Sequence, residues 1–124
     1  MNGDKPLDPG ASLEALRDSL RRFASDRDWS QFHTPKNIAT ALTVEAAELL
    51  ENFQWLREGS SAELGPARLA EVRQELADVL IYLVMLADKL DVDLLQATRD
   101  KLAENAEKYP VDKARGTSRK YTEL

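Results

Sequence analysis

The stretch Glu75-Leu76-Ala77-Asp78-Val79-Leu80-Ile81-Tyr82-Leu83-Val84-Met85-Leu86-Ala87 decides the fold. From Val79 to Ala87 only Tyr82 interrupts the apolar run, which fits a helix at the centre of a bundle or at a subunit interface and not an alternating strand. The run is about half of what a bilayer span needs, so it reads as a buried helix of a soluble, cytoplasmic protein with no membrane partner. Working outward, this helix should start near Pro66 and continue to Leu90. The helix before it should open on Thr34 as N-cap and Pro35 as first helical residue. It should run to about Glu58, where Gly59-Ser60-Ser61 stops it, a length of roughly 36 Å. An earlier helix should follow Ser12, with Glu14 in its first turn and Leu13, Leu16, Leu20, Phe23 and Ala24 on one face, until about Asp28. The last follows Asp93, whose spacing to Gln96 matches a capping box, and ends at Tyr109 because Pro110 cannot continue it. Four helices on short links predict an all-α, four-helix bundle subunit spanning residues 12–109. Residues 1–11, with two prolines and two glycines, read as a flexible leader. Residues 110–124 carry Lys113, Arg115, Arg119 and Lys120 and read as a basic arm or tail.

Two acidic couplets stand inside these apolar patterns: Glu45-Ala46-Ala47-Glu48 on the second helix and Glu75-Leu76-Ala77-Asp78 on the third. Acids three apart lie about 60° from one another around a helix axis, so each helix offers a two-pronged oxygen ligand. Around the second helix, Ile38, Leu42, Leu49, Phe53 and Leu56 fall in one arc bordered by Glu45, with Glu48 just beyond and Glu51 turned to solvent. Around the third, Glu75 and Asp78 sit beside the arc of Val72, Val79, Leu83 and Leu86, and Glu71 shares their side one turn earlier as a supporting position. Facing the two helices would gather four carboxylates. Like charges so close repel, so the arrangement requires Mg²⁺ or a similar hard cation, or bound protons. That points to metal-dependent phosphate chemistry.

Aromatic residues share these faces. Trp55 lies two turns beyond Glu48 and Tyr82 one turn beyond Asp78, and the loop Trp29-Ser30-Gln31-Phe32-His33 can supply a further wall and a hydrogen-bonding edge. Such rings stack on a nucleobase at about 1–3 kcal/mol each. On the fourth helix Lys101, Asn105 and Lys108 fall within about 60° of one another and suit phosphate oxygens. Composition narrows the classes further. With 124 residues the chain is one domain. The absence of cysteine removes disulfides and thiolate metal sites. A net charge of −5, from 22 acidic and 17 basic residues, argues against a nucleic-acid polymer as partner but leaves a metal-masked nucleotide open.

These residues resemble the all-α nucleoside triphosphate pyrophosphatases of the MazG type, and most closely their short dCTP pyrophosphatase branch. The likeness runs from about Leu13 to the end, on Arg27 to His33, Glu45 to Leu49, Phe53-Gln54-Trp55, Glu75 to Leu83, Tyr109-Pro110-Val111 and Lys120-Tyr121-Thr122. The resemblance implies that Glu45, Glu48, Glu75 and Asp78 bind Mg²⁺. It implies base and sugar contacts for Trp29, Ser30, Gln31, Phe32, His33, Trp55 and Tyr82. One departure is Leu20, where close relatives place a ligand-contacting histidine on the first helix. The family also implies a helical homo-oligomer, a tetramer ahead of a dimer, acting on a nucleoside triphosphate.

The expected reaction is hydrolysis of a (deoxy)nucleoside triphosphate, dCTP or a modified dCTP first, to the monophosphate and pyrophosphate. Glu45 or Glu48 would act as the base, and Lys101 and Lys108 would offset charge on the departing pyrophosphate. dUTP hydrolysis or a broad triphosphate range is the near alternative, and a non-catalytic helical interaction module the distant one. A di-iron bundle would need Glu-x-x-His couplets, and His33 stands in none.

Overall fold

The computed structural model describes residues 6–124; residues 1–5, the start of the expected leader, lie outside the described residues. Every regular element among the described residues is helical, as expected: α1 (Leu13–Asp26), a 3₁₀ turn (Ser30–Phe32), α2 (Pro35–Glu51), α3 (Ser61–Lys89), α4 (Leu94–Lys108), α5 (Val111–Ala114) and a second 3₁₀ turn (Tyr121–Glu123). The chain forms two compact units, one up to Asp91 and the other Val92–Leu124. No helix among the described residues is long and apolar enough to cross a membrane.

The helix starts follow the sequence. Ser12 accepts from the Ala15 N–H at 3.1 Å, Thr34 from Asn37 at 3.1 Å and Asp93 from Gln96 at 3.0 Å, each satisfying an amide that the helix leaves unpaired. Ser60 does the same for α3, accepting from Glu63 at 3.2 Å. Because of that cap α3 begins one turn earlier than expected and breaks at Gly65, whose φ of 78° places it in the left-handed region. The continuous part of α3 starts at Pro66, where the sequence places it.

In the first unit α2 and α3 run along each other and α1 packs on α3. Ile38 of α2, Val72, Val84 and Ala87 of α3 and Ala24 of α1 form the buried core. Arg21 and Asp88 clamp α1 to α3 through both carboxylate oxygens, one contact being Nε to Oδ2 at 2.8 Å. A stripe of α3 is left bare: Leu69, Leu76, Leu80, Leu83 and Leu90 are exposed and fall within about 80° of one another around the helix.

One expectation fails. α2 ends at Glu51, not near Glu58, so it is about 26 Å long, and Phe53, Trp55 and Leu56 are not on it. The reason is tertiary. Arg68 of α3 donates to the Asn52 carbonyl at 3.2 Å, while the Glu63 carboxylate accepts from the N–H groups of Arg57, Glu58 and Gly59 at 2.7, 3.0 and 2.7 Å. Gly59, at φ 81°, closes this turn against the Phe53 ring, which sits 2.7 Å from where a Cβ would project. The segment after Glu51 trades helical hydrogen bonds for partners on α3.

In the second unit the chain after Pro110 folds back on α4. Tyr121 meets Tyr109 edge-on with ring centroids 6.0 Å apart, and the Lys108 ammonium lies 5.0 Å from the Tyr121 ring centroid.

Candidate functional site

The helical geometry of α2 and α3 brings three of the four expected carboxylates together. Glu45, Glu48 and Glu75 each offer an oxygen, and these oxygens all lie within 4.8 Å of one another. Asp78, one turn beyond Glu75, stands just outside that group but acts on it electrostatically. The Glu45 carboxyl is pushed up to about 7, first by the proton it shares with Glu75, then by burial, then by the negative charges of Glu48 and Asp78. Oε2 of Glu45 and Oε2 of Glu75 are buried with no hydrogen-bond partner. Buried acceptors without a donor are costly, and two of them within one acid cluster are satisfied by a cation or by protons. A set of carboxylate oxygens, without histidine or thiolate, fits a hard divalent ion such as Mg²⁺.

A cleft of about 630 Å³ opens on these carboxylates, lined by Glu48, Glu51, Asn52, Trp55, Arg68 and Glu75 among others. Trp55 hangs over it 87 % exposed. It reaches this place from the turn after α2, not from the helix face the sequence suggests. A second cavity of about 250 Å³ lies between α1 and α3, with Leu20, Ala24, Val84 and Met85 as apolar lining and Ser30, His33, Arg21 and Asp88 as polar lining. Leu20 therefore stands in a cavity wall, as its position in the family likeness suggests.

The aromatic loop has a clear local cause. Trp29 packs edge-on against Phe23 with centroids 5.8 Å apart and faces His33 at 6.4 Å, which sets His33 against the cavity. Gln31 is occupied locally, donating to the Asp28 carbonyl at 3.0 Å and to its carboxylate at 3.1 Å. Phe32 is exposed, and Asn37 pins its carbonyl at 2.9 Å. Tyr82 is half-buried on α3.

In the second unit Lys101 and Lys108 are both paired to Glu104, at 3.5 and 3.0 Å, and Asn105 is half-buried between them in sequence. The lysine stripe is therefore partly neutralised from within its own helix. Sequence reasoning missed Asn52 and Arg68. The signal for Arg68 was available, since it precedes Glu75 by seven residues and so shares its helix face.

Comparison with known proteins agrees with this architecture. Residues 40–124 match the MazG-like family. dCTP pyrophosphatase 1 of Homo sapiens is 47% identical over 118 residues, covering 94% of this chain and 69% of that protein. The Rattus norvegicus dCTP pyrophosphatase 1 is 44% identical over 127 aligned positions, covering 98% of this chain and 73% of that protein. Among solved structures, that of a pyrophosphatase from Archaeoglobus fulgidus has a TM-score of 0.74 at 42% identity, over 86% of this chain and 99% of that one.

Proposed function

This chain belongs to the MazG-like family, and we infer that it is a nucleoside triphosphate pyrophosphohydrolase that cleaves dCTP or a modified dCTP to the monophosphate and pyrophosphate. Its role is nucleotide-pool cleansing. The observation that carries the chemistry is the gathering of Glu45, Glu48 and Glu75 with two buried, unpartnered oxygens.

Water adds across the α–β phosphoanhydride. Its oxygen bonds one phosphorus, the bridging oxygen stays with the other, and one proton is released. Glu45, Glu48, Glu75 and Asp78 would hold Mg²⁺. Held there, such an ion would supply charge neutralisation for the triphosphate and acidify a water beside it. Glu45 or Glu48 takes the released proton on a carboxylate oxygen. The base enters the cavity between α1 and α3, where Leu20, Val84 and Met85 give an apolar bed and Ser30 and His33 a polar edge. Trp29, Gln31 and Phe32 shape that entrance, and Tyr82 lies on α3 between cavity and acids. From Asp78 to Met85 is two turns of α3, about 10 Å, which lets one nucleotide reach both places. Trp55 closes over the phosphate side. The bare leucine stripe of α3 supports a homo-oligomer, a tetramer by the family likeness, because an apolar patch of that length is usually covered by another surface.

Pyrophosphate release from a panel of triphosphates, with and without divalent metal, tests this reading. dCTP should lead, the reaction should need the metal, and Glu48→Gln should abolish it. Intact metal-dependent hydrolysis by Glu48→Gln would place the site elsewhere, and equal turnover of every base would remove the cytosine assignment.

A further inference from the structure

Arg68 is the only basic residue among the described residues lining the cleft beside the carboxylates, where Glu48, Glu51, Glu71 and Glu75 also stand. It lies seven residues before Glu75 on the same face of α3, two turns or about 10 Å along the axis. One guanidinium nitrogen donates to the Asn52 carbonyl at 3.2 Å. Despite its acidic surroundings, Arg68 makes no ion pair among the described residues, and its side chain is exposed. A guanidinium carries five N–H donors in a fixed fork. The Asn52 bond orients this fork and leaves the rest of it facing the cleft.

The order of groups along α3 gives that fork a task. The base cavity lies beyond Tyr82, at Val84, Met85 and Asp88. The carboxylates occupy the middle of the helix, and Arg68 stands on their far side. Arg68 shares with Glu48 and Glu75 the cleft in which the proposed ion would meet the substrate's phosphates. We propose that Arg68 binds the β- and γ-phosphates of the substrate and the pyrophosphate that leaves. The proposal rests on the hydrolase reading above. A planar fork suits phosphate oxygens in pairs, and its charge offsets what accumulates on the leaving group as the anhydride breaks. A substituted nucleoside monophosphate product would not reach it.

Calorimetric titration of the full chain at fixed Mg²⁺, once with inorganic pyrophosphate and once with dCMP, separates the outcomes. Arg68→Ala should weaken pyrophosphate binding by about tenfold to a hundredfold, leave dCMP binding unchanged, and raise KM for dCTP more than for a shortened, diphosphate substrate analogue. Arg68→Lys, which keeps the charge and loses the planar fork, should recover part of the loss and covers the case of an unstable alanine variant. A lower Tm with unchanged pyrophosphate affinity would mean that Arg68 only caps α2, and would overturn the proposal. If the wild type hydrolyses dCTP and Arg68→Ala binds pyrophosphate equally well, this inference alone fails. If the wild type neither hydrolyses dCTP nor binds pyrophosphate, the hydrolase reading fails with it.

Discussion

Glu45→Gln should make the metal-free protein more stable while removing its response to divalent ions. The Glu45 carboxyl titrates at about 7 in the folded chain against an ordinary value of 4.5, chiefly through the proton shared with Glu75 and through burial. One pKa unit is worth about 1.4 kcal/mol, which bounds the cost of ionising Glu45 in the folded state near ~3 kcal/mol. Water at the open edge of the cluster screens part of this and leaves about 1–2 kcal/mol. Glutamine preserves the shape and deletes the charge. Since the folded pKa lies above the unfolded one, the folded chain keeps the extra proton between the two values, and stability falls as pH rises from 4.5 to about 7. The gain from glutamine is thus absent near pH 4.5, grows across that window and is complete at pH 8. For a chain of this size it corresponds to a Tm rise of about 3–10 °C in the presence of a chelator. Adding Mg²⁺ should then raise the wild-type Tm by mass action and move the variant far less. Thermal unfolding by circular dichroism at pH 4.5 and pH 8, with and without Mg²⁺, reads all four conditions. A variant no more stable than wild type at pH 8 in chelator, or one with the same gain at both pH values, would refute the account of the cluster.

Two further changes test the turn that carries Trp55. Glu63→Gln weakens the acceptor for the amides of Arg57, Glu58 and Gly59, which hold its carboxyl below the ordinary range; hydrogen exchange at these amides should accelerate at pH 7, and the difference from wild type should vanish as the pH falls through the lowered value and the native acid protonates. Gly59→Ala forces a Cβ into the Phe53 ring at a φ of 81° and should cost about 1–3 kcal/mol in denaturant unfolding, whereas an unchanged midpoint would show that the turn is not held as described.

What the sequence makes legible here is what local chemistry decides. Ser12, Thr34 and Asp93 cap helices because a side-chain oxygen three residues ahead of a free amide closes a short ring, and nothing distant competes with it. The couplets at Glu45 and Glu75 are legible for a related reason: their spacing and apolar borders fix which way they face once each helix is granted. The end of α2 is different. Residues 52 to 58 contain no helix breaker, and local propensity alone would carry the helix to Gly59. Glu63 and Arg68 win that competition from α3 by offering better partners to the same backbone groups. Trp55 consequently reaches the cleft from a turn, and Arg68 becomes visible as a ligand-facing group only after its bond to Asn52 is seen. Likewise the pairing of Lys101 and Lys108 with Glu104 follows from the i, i+3 and i, i+4 rule and is contained in the charge pattern.

The same geometry explains why the site is built at a cost. An apolar interface between α2 and α3 could have been closed with leucine at Glu45 and Glu75, since both helices already carry Ile38, Val72 and Val84 inside. Instead two oxygens are buried without donors, and one carboxyl holds a proton near neutrality. Repulsion of that kind is released only when positive charge arrives, so the free energy missing from the metal-free fold reappears as affinity for the ion. Arg68, although it lines the same cleft, makes no ion pair with these acids among the described residues. In the proposed reading the acids attract a cation and the guanidinium an anion, and a metal-bound polyphosphate would supply both. Double-mutant analysis should show this as coupling. In the presence of Mg²⁺, Arg68→Ala should cost pyrophosphate affinity in a wild-type background and almost none in Glu45→Gln, whereas equal losses in both would mean that the two groups serve separate ligands.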